Sequence, residues 1–453
     1  MGRKLSLLSV FGVGTLVLVL ALLYFYPGGW RQVLPGDEPT RPPGGTTEQP
    51  ATPSRGASLE ALPRVPWEGG PAYYGKFGGM ATAGWTDPAF FPVGVWLESV
   101  VEPGDAAGDK ALGLNTYMGL TSTSSAQRVR EGGMWAFTDK PLDGHGDETV
   151  GWVIDDEADM WAGPGDAKWT GNHPGEGPLC VPEDQSCGYT VLTEQKKRLP
   201  KDGRLHYANF GKGVIIWEND QQAGRFVNDY TDVTSADVYW YTSEGICQDA
   251  KNYINVPLDK CRRAANYGMI IEKLRRLDAL DKQLQPVYAV VEVGWPGVDD
   301  KRTIEPDELA GAVMSSLIHE ARGILYFNHN FGGPCQSQHV LRERCGDRIR
   351  PTVVELNKRI AQLAPVLNTQ SYQHEFGKGL DTMLKRHGDA LYVFAMPDRD
   401  AEPGTRRLTL PAGVEASQAE VLFEGRTVPI DGSGRFSDSF AAEHSYHIYK
   451  IPL

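Results

Sequence analysis

The sequence predicts an α/β fold: a (β/α)8 TIM barrel, followed by a small C-terminal all-β, sandwich-like domain and preceded by an N-terminal transmembrane anchor. Three observations carry this. Eight short apolar runs between Phe90 and His329 are mostly separated by helical or loop segments. From Asp389 the helical spacing gives way to short strands joined by polar, Gly-containing turns. Residues 5–26 form an apolar run long enough to cross a bilayer as a helix.

The elements follow in chain order. Arg3 and Lys4 precede the apolar run and orient its start toward the cytoplasm. The stretch LALLYFY before Pro27 offers no small-x-small cleavage site, so 1–26 reads as a signal-anchor, with a cleaved signal peptide and secretion as the competing reading. Residues 27–66 contain nine Pro and six Gly and cannot bury a core, so they read as a linker. The barrel is expected over 67–385 and the β-domain over 386–453. The chain beyond the anchor is expected outside the cell, in contact with the membrane only through the N-terminal helix.

The expected barrel strands are 91–97 (FPVGVWL), 114–119 (LNTYMG), 134–137 (MWAF), 150–154 (VGWVI), 205–209 (LHYAN), 237–241 (DVYWY), 287–293 (VYAVVEV) and 323–328 (GILYFN). Most are apolar on both faces, as buried parallel strands are. Residues 214–217 compete for the fifth position. Helical stripes separate the later strands: Ile270, Leu274 and Leu277; then Leu309, Ala312, Val313 and Leu317 behind Pro306; then Val353, Leu356, Ile360 and Leu363. Five short runs, 391–395, 407–410, 420–423, 426–430 and 446–451, suggest the C-terminal strands.

Six cysteines fall in three close pairs, Cys180/Cys187, Cys247/Cys261 and Cys335/Cys345. In an exported chain they read as three short-loop disulfides. A zinc site is the alternative, but no CxxC occurs and no His is interleaved at ligand spacing. The pairs follow the fourth, sixth and eighth strands, on the barrel face where active sites are built.

Lys plus Arg number 45 against 58 Asp plus Glu, a formal charge of −13. This argues against nucleic acid as a partner, since such binding depends on counterion release by basic residues. No GxSxG, P-loop, HExxH or suitable GxGxxG is found, and no cofactor or metal is expected.

The strand ends carry the chemistry. The fourth strand runs into Asp155-Asp156-Glu157-Ala158-Asp159, and the seventh carries Glu292 near its C-terminal end. Acidic residues there are costly unless they face a polar site. Two carboxyl groups aimed at one axial cavity are what glycoside hydrolysis needs, one to protonate the leaving oxygen and one to attack the sugar or activate water. The bland readings are a tied polar residue for Glu292, and a solvated loop or calcium site for 155–159.

FFPVGVW, GLNTYMGL, the fourth- and seventh-strand Glu residues and the small β-domain together resemble clan A glycoside hydrolases over roughly 90–453. The resemblance implies a retaining O-glycosyl hydrolase acting on a polysaccharide or cell-envelope glycan, with Glu157 as acid/base and Glu292 as nucleophile. Asp156 stands where the clan usually has Asn, and is the rival acid. Tyr239 or Tyr241 would bond the nucleophile. Trp96, Trp135, Trp161, Trp240 and Trp295 lie on or beyond expected strand ends and would stack on sugar faces. Glu98, Asn115, Asp139, His206, Asn328 and His329 would bind hydroxyls. A glycan-binding ectodomain without catalysis is the alternative function.

Overall fold

A computed structural model describes residues 59–161 and 188–453; the expected anchor, most of the linker and the Cys180/Cys187 pair lie outside them. Among the described residues no helix is long and apolar enough to cross a membrane.

Eight parallel strands close a barrel in sequence order. They are β1 (Val93–Glu98), β2 (Thr116–Leu120), β3 (Trp135–Thr138), β4 (Thr149–Asp156), β5 (Leu205–Phe210), β6 (Val233–Ala236), β7 (Val287–Glu292) and β8 (Gly323–Phe327). Side chains alternate across each strand. In β5, Leu205 and Tyr207 fill the barrel interior while Ala208 and Phe210 face the helices. The helices Ala265–Asp278, Pro306–Ile318 and Arg350–Leu367 carry the apolar stripes noted above, and most of those residues are buried. Residues before β1 shut the N-terminal mouth: Trp85 packs on Phe137, and the Tyr74 hydroxyl meets that of Tyr288 at 2.8 Å.

Two expectations change. The sixth strand is Val233–Ala236, not 237–241. The aromatic run has the higher β propensity, but the small residues VTSA fit beside the bulky Tyr207 that already occupies the interior, with the Tyr207 and Ser235 hydroxyls 2.5 Å apart. Residues 214–217 are not a strand but part of a π-helical turn, Gly213–Trp217.

The C-terminal domain has a six-stranded antiparallel sheet and a two-stranded partner. Its strands are β9 (Ser371–Tyr372), β10 (Leu380–His387), β11 (Ala390–Pro397), β12 (Gly404–Thr409), β13 (Gln418–Val421), β14 (Arg426–Pro429), β15 (Arg435–Phe440) and β16 (His447–Pro452), with sheet order β14-β13-β16-β11-β10-β9 and β12 paired with β15. Leu59 packs into this domain's core, and the Val65 N–H donates to the Ser371 carbonyl at 3.0 Å.

Disulfides join Cys247 to Cys261 and Cys335 to Cys345, with Cα–Cα distances of 5.4 and 5.6 Å. They staple the loops after β6 and β8. Peptide mapping without reduction is expected to recover both pairs together with Cys180–Cys187; free thiols in protein made in an oxidising compartment would remove the support for export.

Candidate active site

The C-terminal ends of β4, β5 and β6 gather the acidic residues. The register of β4 against β5 shifts between Val153 and Asp155, and Glu157 adopts a left-handed backbone with φ 54°. That conformation is strained for a residue with a Cβ and persists only where its surroundings hold it. Here the Glu157 N–H donates to the Asn209 carbonyl at 2.9 Å. Gly211, just past β5, makes room for the kink: a Cβ there would stand 2.8 Å from Glu157 Oε1 and 2.5 Å from Met160 Cγ.

Asn209 and Asp237 continue the inward-facing rows of β5 and β6. Asn209 Nδ2 donates to Asp156 Oδ1 at 3.0 Å and to Asp237 Oδ1 at 2.8 Å, while its own Oδ1 accepts from Ser235 Oγ at 2.6 Å. The Tyr239 hydroxyl donates to Asp237 Oδ2 at 2.6 Å. The carboxyls of Asp237 and Glu157 are hydrogen-bonded to each other. Asp156 is exposed, and Glu157 and Asp237 are half-buried.

Crowding changes the acidity of all three. Asp156 is exposed as a residue, but its carboxyl turns in toward Asn209, where loss of water, then the Asp237 charge, raises it to about 7. Loss of water, then Asp156 and Asp159, raises Glu157 to about 7. Asp237 is pushed well above the usual carboxylate range by burial and then by Glu157. Such values suit proton donation near neutrality.

Asp159 has a different task. It is fully buried and accepts the Gly211 N–H on both oxygens at 3.0 Å and the Val214 N–H at 2.8 Å, fixing the turn after β5. Among the described residues no group of three or more His, Cys, Asp or Glu is arranged to hold a metal ion.

Glu292 ends β7 and is fully buried. The Tyr267 hydroxyl lies 2.7 Å from each of its oxygens, and the Thr242 hydroxyl donates to Oε1 at 3.1 Å. Burial raises it to about 7, against the donation from Tyr267 and Thr242. Its tyrosine is therefore Tyr267, not Tyr239 or Tyr241. Tyr239 serves Asp237, and the Tyr241 hydroxyl donates to Glu443 at 2.5 Å.

Several residues expected on the rim lie elsewhere. Trp135 is the first residue of β3, Asn115 precedes β2, and His206 is the second residue of β5, so all three sit toward the opposite mouth. Asn115 bridges Val93 N–H and the Phe91 carbonyl, and His206 pairs with Asp232 at 3.1 Å. In a parallel barrel a shift of a few residues along a strand exchanges one mouth for the other. Trp96 packs inside the barrel, and Trp240 is fully buried among the outer core residues, so neither offers a free face. The Trp161 side chain lies outside what the structure describes.

Glu98 is buried and saturated: Ser99 N–H at 2.8 Å, Asn328 Nδ2 at 2.6 Å, His339 Nδ1 and the Arg342 guanidinium at 3.3 Å all meet its carboxylate. With Asn328, whose Oδ1 accepts the Leu341 N–H at 2.8 Å, it pins the Cys335–Cys345 loop to the barrel. Asp139 is exposed just past β3. Trp295 is half-buried, its ring against Gly333.

Tyr239 and His329, both expected at the site, belong to an aromatic strip beside the carboxylates whose other members, Phe327 and Phe331, the sequence reading missed. Tyr239 lies 5.1 Å from Phe327, Phe327 5.2 Å from His329, and His329 5.5 Å from Phe331, which is 41% exposed. His329 is buried and its Nε2 meets the Leu97 carbonyl at 3.3 Å; burial lowers its pKa. Asn209 and Asp237 were missed too, although each continues an inward-facing row by period two.

A cavity of about 640 Å³ lies elsewhere, between the 265–278 helix and the β9–β10 edge, and contains none of these carboxylates.

No family model and no curated protein matches this chain. Among solved structures it is similar to an endoxylanase from Clostridium papyrosolvens (8% identity, 80% of this chain and 97% of that one, TM-score 0.42). It is similar to a maltogenic α-amylase from Thermotoga neapolitana (11%, 80% and 99%, TM-score 0.46). It is also similar to a putative α-galactosidase from Bacteroides fragilis (11%, 81% and 80%, TM-score 0.43).

Proposed function

We propose that this protein is a retaining glycoside hydrolase acting on a polysaccharide or cell-envelope glycan outside the cell, tethered by its N-terminal segment. One observation carries the reading: a strained, half-buried Glu157 with its acidity shifted to about 7 stands at the C-terminal mouth of a parallel barrel, beside an aromatic strip. Glu157 protonates the departing oxygen and later activates water; Glu292 attacks the anomeric carbon. The hydroxyls of Tyr267 and Thr242 favour the Glu292 carboxylate and aim it.

Asp237 does not fit the nucleophile's part. Retaining pairs stand about 5–5.5 Å apart and inverting pairs about 6.5–9.5 Å. A carboxyl hydrogen-bonded directly to Glu157 is closer than either, and leaves no room for a sugar between the two. The two disulfides support an oxidising compartment.

The complete enclosure of Glu292 favours a second reading, a glycan-binding ectodomain that does not cleave. A panel of neutral, cationic and anionic glycans, including bacterial envelope polysaccharides, separates the two. Release of new reducing ends that disappears in Glu157→Gln and Glu292→Gln while binding persists supports the hydrolase. Wild-type protein that binds a glycan and never cleaves it supports the module.

A further inference from the structure

The hydrogen bond between Glu157 and Asp237 needs a proton, because two carboxylates offer only acceptors to one another. From the geometry we infer that Glu157 and Asp237 form a dyad sharing one proton, and that Asp237 is a positioning residue which keeps that proton available to Glu157 for delivery to the leaving group. This rests on the reading of Glu157 as the acid.

The surroundings are built for such a pair. Asp237 is held on both oxygens, by Asn209 Nδ2 at 2.8 Å and the Tyr239 hydroxyl at 2.6 Å, so its carboxyl cannot rotate away. Asn209 is itself 2% exposed and fixed through Ser235, whose hydroxyl lies 2.5 Å from that of Tyr207. The network therefore runs from the barrel interior to a carboxyl that touches Glu157. Other charges face the dyad as well. Asp156 comes from β4, with Asp155 beside it, and Asp159 from the 158–161 helix; Asp156 and Asp159 gain their negative charge as the pH rises through about 7. Among the described residues Lys212, after β5, is the facing cation and is engaged by Asp249 at 3.0 Å. With acidic groups dominant among the described residues around it, removing the second proton from the dyad creates two adjacent anions and is deferred to higher pH.

The sign follows. In the singly protonated dyad the contact raises Asp237 and lowers Glu157, so the proton rests chiefly on Asp237 and reaches the leaving group through Glu157; its loss sets the alkaline limb of the pH–rate profile. Asp237→Asn removes the partner that holds the shared proton to high pH and leaves Glu157 to titrate beside Asp156 and Asp159, at a lower pH than the dyad. Tyr239→Phe removes a donor that favours the doubly ionised dyad, and moves the limb the other way.

The test uses the full-length chain. The pH dependence of kcat/KM is measured on a glycan with a poor leaving group for wild type, Asp237→Asn and Tyr239→Phe. In parallel, protonated carboxyl groups are titrated by difference infrared spectroscopy, which needs no turnover, with Glu157→Gln as reference. Expected are an alkaline limb lowered by at least about one pH unit in Asp237→Asn, one raised in Tyr239→Phe, and a high-pH carboxyl step absent from both Asp237→Asn and Glu157→Gln. A rate loss in Asp237→Asn with the limb and the infrared step unmoved overturns the dyad and leaves Asp237 a packing residue. The step present in wild type and lost in both variants, in a protein that cleaves no glycan, sustains the dyad and sinks the hydrolase reading instead. Tyr239→Phe secures the sign if Asp237→Asn does not fold: a limb and an infrared step unmoved in that variant also overturn the proposal.

Discussion

In Glu292→Ala, turnover is expected to fall by roughly 10⁵-fold on natural glycans and activated aryl glycosides alike, because without the nucleophile no glycosyl-enzyme forms whatever the leaving group. Glu157→Ala should behave differently. On a natural glycan the loss is expected to be about 10²–10⁴-fold, the range of a missing general acid. On an aryl glycoside whose leaving group needs little protonation, formation of the glycosyl-enzyme should be largely retained. Added azide should then accelerate the second step, replacing the water that Glu157 activates and giving a glycosyl azide of retained configuration. A glycosyl azide of retained configuration from Glu292→Ala would exchange the two roles, whereas an inverted one, from azide attacking directly in the space the nucleophile left, would uphold them. An inverted product from wild-type protein would rule out the retaining mechanism. The acid/base signature in Asp156→Ala, with Glu157→Ala active, would move the acid by one residue.

A comparably large effect, on stability, is expected far from the mouth. Glu320 precedes β8 with a left-handed backbone, φ 77°. Its Oε2 pairs with Arg322 at 3.0 Å and with Lys385 of β10 at 3.4 Å; Arg322 also meets Glu68 at 2.9 Å. Glu320 and Arg322 are almost wholly buried and Lys385 is entirely so. Glu320→Ala would leave two cations short of a partner between the barrel and the C-terminal sheet, and is expected to cost about 3–5 kcal/mol, read from the urea midpoint. Burial opposes ionisation of Glu320, but Lys385, Arg322 and Arg275 outweigh it and hold the carboxyl at about 2 instead of 4.5. Burial draws Lys385 down to about 8, so both partners are charged at neutral pH. A carboxyl depressed in the folded state stabilises fully above its unfolded pKa and ceases to as pH falls through its folded one. The gap between wild type and Glu320→Ala should therefore be complete from pH 4.5 to neutrality, below the loss of the Lys385 charge at about 8, and shrink toward pH 2. A gap unchanged by acid would show that packing, not charge, holds this junction.

Legibility differed by element. Seven of the eight barrel strands lie where apolar runs place them, because a strand buried on both faces must be apolar throughout. The sixth was displaced onto its neighbouring aromatics, since VTSA has little hydrophobic signal of its own and becomes a strand by fitting beside Tyr207. The same displacement hid Asp237: as the first residue of an expected strand it read as an edge, whereas it is the residue just beyond the strand's C-terminal end. Trp135, Asn115 and His206 were assigned to the active mouth because an apolar run does not say which residue of a short strand stands at which end.

Sequence alone was enough for the barrel, an all-β C-terminal domain though not its strands Leu380–His387 and Arg435–Phe440, the short-range pairing of Cys247 with Cys261 and Cys335 with Cys345, and the presence of acidic residues at the ends of β4 and β7. These depend on period, composition and contacts between near neighbours in the chain, all of which are local. Only the tertiary structure decided which carboxyls meet. Glu157 and Asp237 are 80 residues apart and touch because β4, β5 and β6 lie side by side, with a bulge and a left-handed turn rotating one acid toward the next. It also decided that Glu292 is enclosed by Tyr267 and Thr242, and that Glu98 is committed to holding a loop. Carboxylate chemistry depends on which donors and charges stand within a few ångströms, and the closure of the barrel sets those distances.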